Sequence, residues 1–228
     1  MKVAVYAGTK NLYSDMATAA KSLANNSSVD LIYFLIEDSE FPYYLPDYIR
    51  CIDVSGQKYF SKSGPNVYRL WTWMVLMRAV LSKIFPEHDR ILSLDVDTIV
   101  KKNIDELWDI CPDNKYLAGC IEPSKSKLNK PYINMGVVVF NLRMLRDTKM
   151  DDKIISRLNR DKFNFAEQDC INLLCENFIE TIPSIYNSNN YTELCREPKI
   201  RHYANEKDWR NKEDVKYYRN LSWDLIRR

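Results

Sequence analysis

The run Ile91-Leu-Ser-Leu-Asp-Val-Asp-Thr-Ile-Val100 constrains this chain more than any other segment, because it puts two carboxylates at the end of an apolar strand. Side chains of a strand alternate between faces, so Asp95 and Asp97, two residues apart, are expected to point the same way. Two oxygen ligands converging on one spot suit a hard divalent cation better than a packed core. A metal-bound phosphate ester is the ligand that such a pair implies. The plain alternative is a strand ending in a solvated turn, so the run needs matching pieces elsewhere.

The order of elements supplies a frame for it. Lys2–Tyr6 reads as a strand, Gly8–Asn11 as a loop and Leu12–Leu23 as a helix with small residues for close packing. Leu31–Ile36 and Ile49–Val54 follow as strands, and the polar stretch Ser55–Asn66 as a loop. The apolar spacing of Tyr68–Ile84 predicts an α-helix stopped by Pro86 ahead of the strand Arg90–Leu94. Beyond it come strands at Tyr116–Ile121 and Ile133–Asn141, helices at Leu142–Asn159 and Glu167–Asn177, and a last strand at Ile200–Tyr203. Strands alternating with helices imply an α/β fold with a doubly wound, mostly parallel sheet. Ligands of such sheets sit beyond the carboxyl ends of the strands, where Ala7–Lys10 and Asp95–Asp97 both lie.

At 228 residues one domain is expected over 1–209, with a nucleotide-binding half (1–110) and an acceptor-facing half (111–209). A net charge of +2 argues against nucleic acid as a partner. Six cysteines without Cys-x-x-Cys spacing, in segments that read as buried, predict reduced core thiols in a cytoplasmic protein. The first eight residues turn polar too soon for a signal peptide, and Val67–Phe85 carries Arg69, Arg78 and Lys83, which marks it as core and not a membrane span. The basic and aromatic tail 210–228 reads as a terminal helix packed on the domain. Weak peripheral contact with the inner membrane face is the alternative for that tail.

Three further segments carry chemistry. In Ile133-Asn-Met-Gly-Val137, Asn134 offers donor and acceptor atoms at the mouth of a strand and Gly136 permits close backbone approach to a ligand. Ala166-Glu-Gln-Asp169 opens a helix with groups that can hydrogen-bond sugar hydroxyls, though first-turn acids also serve as ordinary caps. In Arg201-His-Tyr-Ala-Asn-Glu-Lys-Asp-Trp209, His202 would complete an Asp/Asp site with a nitrogen that favours manganese over magnesium, and Lys207 could reach phosphates as a point charge. His88 lies in a turn and is assigned no role.

A phosphatase of the haloacid dehalogenase type also carries Asp-x-Asp after an apolar strand, but near the start of its domain and with a different residue order after the second Asp. Leu94-Asp-Val-Asp-Thr98, Asn134-Met-Gly136, Glu167-Gln-Asp169 and His202-Tyr with Lys207-Asp-Trp209, in that order, instead resemble glycosyltransferase family 8, the retaining group that includes glycogenin. The resemblance implies a single GT-A-type, Rossmann-like domain that moves a hexose from a UDP-sugar to a glycan, glycolipid or glycoprotein hydroxyl. A non-catalytic sugar-nucleotide binder on the same scaffold is the alternative of a different class.

By the resemblance, Asp95, Asp97 and His202 are the ligands of Mn²⁺, with Mg²⁺ as a substitute. Ala7, Thr9, Lys10, Asn11 and Tyr13 match the loop that holds uridine, Tyr13 by stacking on the base, and the backbone at Val96 lies by the ribose. Arg69 and Lys207 match cations near the diphosphate. Asn134, Glu167, Gln168 and Glu122 match groups around the transferred sugar. Asn205 stands where the family has Gly, and Asn tolerates the left-handed backbone that such a glycine signals. Same-face attack by the acceptor is the preferred route, with a covalent intermediate on Glu167 or Glu122 left open.

Overall fold

The structure, a computed structural model, describes residues 1–38, 40–67, 72–127 and 130–226. Its first unit runs β1 (Val3–Ala7), α1 (Tyr13–Asn25), β2 (Leu31–Ile36) and β3 (Ile49–Asp53). β1 and β2, and β2 and β3, pair in parallel. All six residues of β2 are buried, as expected of a strand covered on both faces. α1 presents Ala19, Ala20 and Ala24 to the sheet with no exposed surface, so small side chains set the close approach.

A 3₁₀ helix at Trp73–Val80 leads into the short α2 (Leu81–Ile84), where an α-helix over Tyr68–Ile84 was expected. Tyr68 and Arg69 lie outside the described residues. Trp73, Met74, Leu76, Met77, Ala79 and Val80 are buried, whereas Val75 and Arg78 are less so. Two buried positions followed by one half-buried is the repeat of three residues per turn, in which side chains at i and i+3 eclipse. That repeat resembles helical spacing in sequence, which explains the misassigned winding.

The chain continues through β4 (Arg90–Leu94), β5 (Thr98–Val100), β6 (Leu117–Ile121) and β7 (Ile133–Asn141). α3 (Leu142–Asp147), α4 (Met150–Arg160) and α5 (Ala166–Cys175) then pack on one face. The single helix expected over Leu142–Asn159 is divided at Lys149, whose left-handed φ of 56° breaks the winding. β8 (Ile179–Ile182), β9 (Ile200–His202) and α6 (Glu213–Asn220) complete the elements used below.

The main sheet has the order β3-β2-β1-β4-β7-β6-β8, parallel except that β7 runs against β4 and β6. Hydrophobic clusters cover both faces, with Val138 and Phe140 in one and Val137 and Val139 in the other. The register of β7 against β6 jumps between Gly119↔Val138 and Ile121↔Ile133. This irregularity lies in the stretch of β7 that carries Asn134 and Gly136, and bulges are common beside functional sites.

All six cysteines are free; four are buried, but Cys51 is exposed and Cys195 half-buried. The expectation of six core thiols fails at Cys51 because β3 is an edge strand with outward-facing positions. Among the described residues no helix is long and apolar enough to cross a membrane. The tail does fold back: α6 buries Val215 and Tyr218, Asn26 donates to the Tyr218 hydroxyl at 2.8 Å, and buried Asp15 of α1 accepts from Arg210 and Arg219.

Candidate active site

β4 ends at Leu94, so Asp95 and Asp97 sit in the turn to β5 and not on a continuing strand. Backbone bonds aim them, and strand alternation does not. Asp95 N–H donates to Gly136 O (2.8 Å), Thr98 Oγ1 donates to Asp95 O (2.6 Å), and Tyr203 N–H donates to Asp97 O (2.9 Å). The antiparallel pair β5–β9 puts Thr98 opposite His202. His202 Nε2 thereby lies 3.2 Å from Asp97 Oδ1 and 3.6 Å from Asp95 Oδ2. One ligand atom from each of the three lies within 4.8 Å of the others.

Two carboxylates and one imidazole at that separation fit a borderline-hard divalent ion. The buried His202 ring explains Gly136. A Cβ there would stand 3.0 Å from Nε2, with Cε1 and Nδ1 nearer still, so the glycine makes room for the histidine and not for a ligand. Burial opposes charge on the ring, but the Asp97 carboxylate outweighs it and raises the His202 pKa. Burial likewise opposes charge on Asp97, and His202 outweighs it, lowering the Asp97 pKa.

The carboxylates open onto a cleft of about 440 Å³. The first-strand loop contributes Ala7, Thr9 and Asn11 to its lining, and Val96, Glu167 and Gln168 line it as well. The 3₁₀ helix and the residues flanking it give a row, Thr72, Val75, Arg78 and Leu81, at the spacing of three that eclipses side chains, together with Met74. Arg78, passed over in sequence, sits in the middle of that row. Its guanidinium bonds Asp95 and reaches Glu167 Oε1 at 2.8 Å and Ser93 Oγ at 3.3 Å. The signal for it was a lone arginine on an apolar surface, which calls for a counter-charge.

Glu167 follows Ala166, held at a left-handed φ of 40° that a non-glycine residue adopts only under strain. Burial pushes the Glu167 carboxyl up to about 7, against the pull of Arg78. Gln168 is locked: Oε1 accepts from Met135 N (3.0 Å), and Nε2 donates to Tyr132 Oη (3.1 Å) and Glu122 Oε2 (3.3 Å). Asn134 Nδ2 is 3.4 Å from the same Glu122 oxygen, and Lys125 pairs with Glu122 at 2.9 Å. Asn134 and Glu122 are buried behind the cleft wall and do not line it.

Other expected residues are placed differently. The Tyr13 ring is buried against Phe41 at 4.9 Å between centroids, with its hydroxyl accepting from Glu37 N, so it supports the loop from below and does not face the cleft. The Lys10 side chain turns outward, 3.6 Å from Asp38. Lys207 borders a shallower hollow with Asp97 and Asn205, while Arg210 lines both this hollow and the cleft. Asn205 takes φ 60°, as a residue standing in for glycine must. Arg69 lies outside the described residues.

The sequence pattern of glycosyl transferase family 8 matches residues 4–214. The chain belongs to glycosyltransferase family 8. It is 28% identical over 162 residues to the lipopolysaccharide 1,2-glucosyltransferase of Escherichia coli K12, covering 58% of this chain and 48% of that enzyme. The chain thus spans about half the length of that curated relative. Among solved structures, the glycosyltransferase GlyE of Streptococcus pneumoniae superposes with a TM-score of 0.75 at 19% identity, over 99% of this chain and 62% of that one. The galactosyltransferase LgtC, solved with donor and acceptor sugar analogs, superposes with a TM-score of 0.73 at 18% identity, over 97% of this chain and 98% of that one. At such identities the likeness establishes the fold, the GT-A type. Family membership replaces the phosphatase alternative.

Proposed function

We propose that this family 8 member transfers a hexose from a UDP-sugar to a hydroxyl of a glycan, glycolipid or glycoprotein, with retention of configuration and with a divalent cation, manganese by preference, held by Asp95, Asp97 and His202. The observation that carries the reading is the convergence of these three side chains at the edge of one cleft that the first-strand loop and Glu167–Gln168 also line. When bound, the cation would offset the negative charge that develops on the leaving diphosphate.

The chain's own residues divide the remaining work. The Ala7–Asn11 loop and Val96 form the wall suited to the nucleoside, and Arg78, with Lys207 at the rim, supplies positive charge for the phosphates. Glu167 and Gln168 face the cleft where the sugar would lie. Gln168 is neutral and its amide is fixed by three bonds, Glu167 is paired with Arg78, and Glu122 is paired with Lys125. None of the three is free to act as a nucleophile, which supports same-face attack by the acceptor.

The test is release of UDP from a panel of UDP-sugars, with and without Mn²⁺. Metal-dependent release from one sugar nucleotide, lost in Asp95→Asn, is the expected result. Turnover that survives both chelation and Asp95→Asn would overturn the metal-assisted reading, and failure to bind any UDP-sugar would overturn the donor.

A further inference from the structure

The segment Tyr186-Asn-Ser-Asn-Asn190 has the composition of a solvated loop, yet Asn187, Ser188 and Asn189 have no exposed surface. Buried amides must bond in a defined sense, so each orientation can be deduced from its partners. Gly136 N–H can only donate, and it lies 3.1 Å from one atom of the Asn134 amide, which is therefore the oxygen. That oxygen is 2.9 Å from the Asn187 amide, so the Asn187 atom facing it is the nitrogen and its other atom is Oδ1.

A second route reaches the same assignment. Tyr191 N–H and Thr192 N–H both donate to one atom of Asn189, at 2.7 and 3.1 Å, which makes that atom oxygen and leaves Nδ2 to donate to Asn187 at 2.9 Å. The Asn187 atom it meets is again Oδ1, and Oδ1 lies 2.8 Å from His202 Nδ1. Asn189 Nδ2 also lies 3.3 Å from Nδ1, but its two protons have nearer acceptors in Asn187 Oδ1 (2.9 Å) and Asn187 O (3.0 Å), so the partner of Nδ1 is the Asn187 oxygen, which requires a proton on Nδ1. In the neutral ring Nε2 then holds the lone pair, and Nε2 is the atom turned toward Asp97 and Asp95.

We propose that Asn187 is a positioning residue that fixes His202 as the Nδ1–H tautomer, presents Nε2 as a ready ligand for a divalent cation, and couples that ligand through Asn134 to the Glu122–Gln168 cluster. Ligating histidines generally owe their tautomer and orientation to the acceptor on the other ring nitrogen. Here the acceptor is itself oriented twice over, by Asn134, which Gly136 N–H fixes, and by Asn189. The inference rests on the metal-binding reading of Asp95, Asp97 and His202.

The experiment measures Mn²⁺ affinity of the donor-free protein by electron paramagnetic resonance, for wild type, Asn187→Ala, Asn187→Asp and Asp95→Asn. Loss of an acceptor behind a metal ligand typically weakens binding about 10- to 100-fold, and that is expected for Asn187→Ala. Asn187→Asp keeps an oxygen opposite Nδ1 and is expected to restore affinity, which a merely structural asparagine would not. The chain has two histidines, so long-range proton–nitrogen spectra at a pH above the titration of both rings read the His202 tautomer directly. Wild type is expected to show Nδ1–H; Nε2–H overturns the proposal even if Asn187→Ala fails to fold. Wild-type affinity in Asn187→Ala with loss in Asp95→Asn overturns the role of Asn187 alone. Unchanged affinity in Asp95→Asn overturns the metal site and this inference with it.

Discussion

Arg78 and Glu167 form an ion pair of 2.8 Å in which the two side chains retain only 12% and 3% of their exposure. The same guanidinium bonds Asp95, so one cation links the end of β4 to the first turn of α5. Glu167 and Asp95, both on the cleft, therefore share a counter-charge.

Removing that counter-charge should be costly. Arg78→Met leaves Asp95 and Glu167 without it, and breaking one side of a buried pair costs on the order of 3 kcal/mol. Uptake of a proton by Glu167 limits the loss. We expect a lower thermal midpoint in calorimetry and a drop in kcat of at least about 100-fold, since electrostatic groups at a developing charge commonly contribute that much. Arg78→Lys should recover stability better than turnover, because an ammonium cannot bridge two carboxylates in the fork geometry of a guanidinium.

Glu167 predicts the pH dependence of the metal-free fold. Burial raises its pKa from 4.5 to about 7. Between those values the folded state holds a proton that the unfolded state has released, so unfolding free energy falls as pH rises through this window. The contribution is fully present below about pH 4.5 and gone above about pH 7, and it amounts to at most about 3 kcal/mol. Glu167→Gln should flatten the slope of denaturant-derived stability between pH 5 and 7, relative to wild type, by about that much. An unchanged slope would place the proton elsewhere.

Gly136 should be intolerant of any side chain. A Cβ would overlap the His202 ring, whose position is fixed on its far side by Asn187. Gly136→Ala must displace the ring, and we expect Mn²⁺ binding to weaken by about 10-fold or more with UDP binding in the absence of metal little changed. Isothermal titration of each ligand separately checks both halves.

Much of this site could be read from sequence because its polar residues interrupt apolar strands. Asp95, Asp97 and His202 each end or follow such a run, and the topology brings them together. What could not be read has physical causes. Arg78 was hidden because 3₁₀ winding at three residues per turn mimics α-helical spacing, and only the tighter turn aligns it with Thr72 and Val75 on the cleft. Tyr13 was assigned to the base by the family resemblance alone, and a motif match does not show that this ring turns inward against Phe41. Asn187 and Asn189 were invisible because buried amides and loop amides have the same composition, and burial is a property of the assembled fold.

Asn205 offers a test in which backbone geometry alone is at stake. Its φ of 60° lies in the left-handed region, where Asn is tolerated and β-branched residues are strained by about 1–2 kcal/mol. The residue turns the chain between β9, which carries His202, and the segment with Lys207 and Arg210. Asn205→Gly should therefore leave stability within about 0.5 kcal/mol of wild type, while Asn205→Val should lower it by about 1–2 kcal/mol. UDP affinity should follow the same order if this turn sets the rim of the cleft. Equal stability of the glycine and valine variants in chemical denaturation would mean that the loop relaxes out of the left-handed conformation, and a loop so free could not hold Lys207 and Arg210 in place beside Asp97.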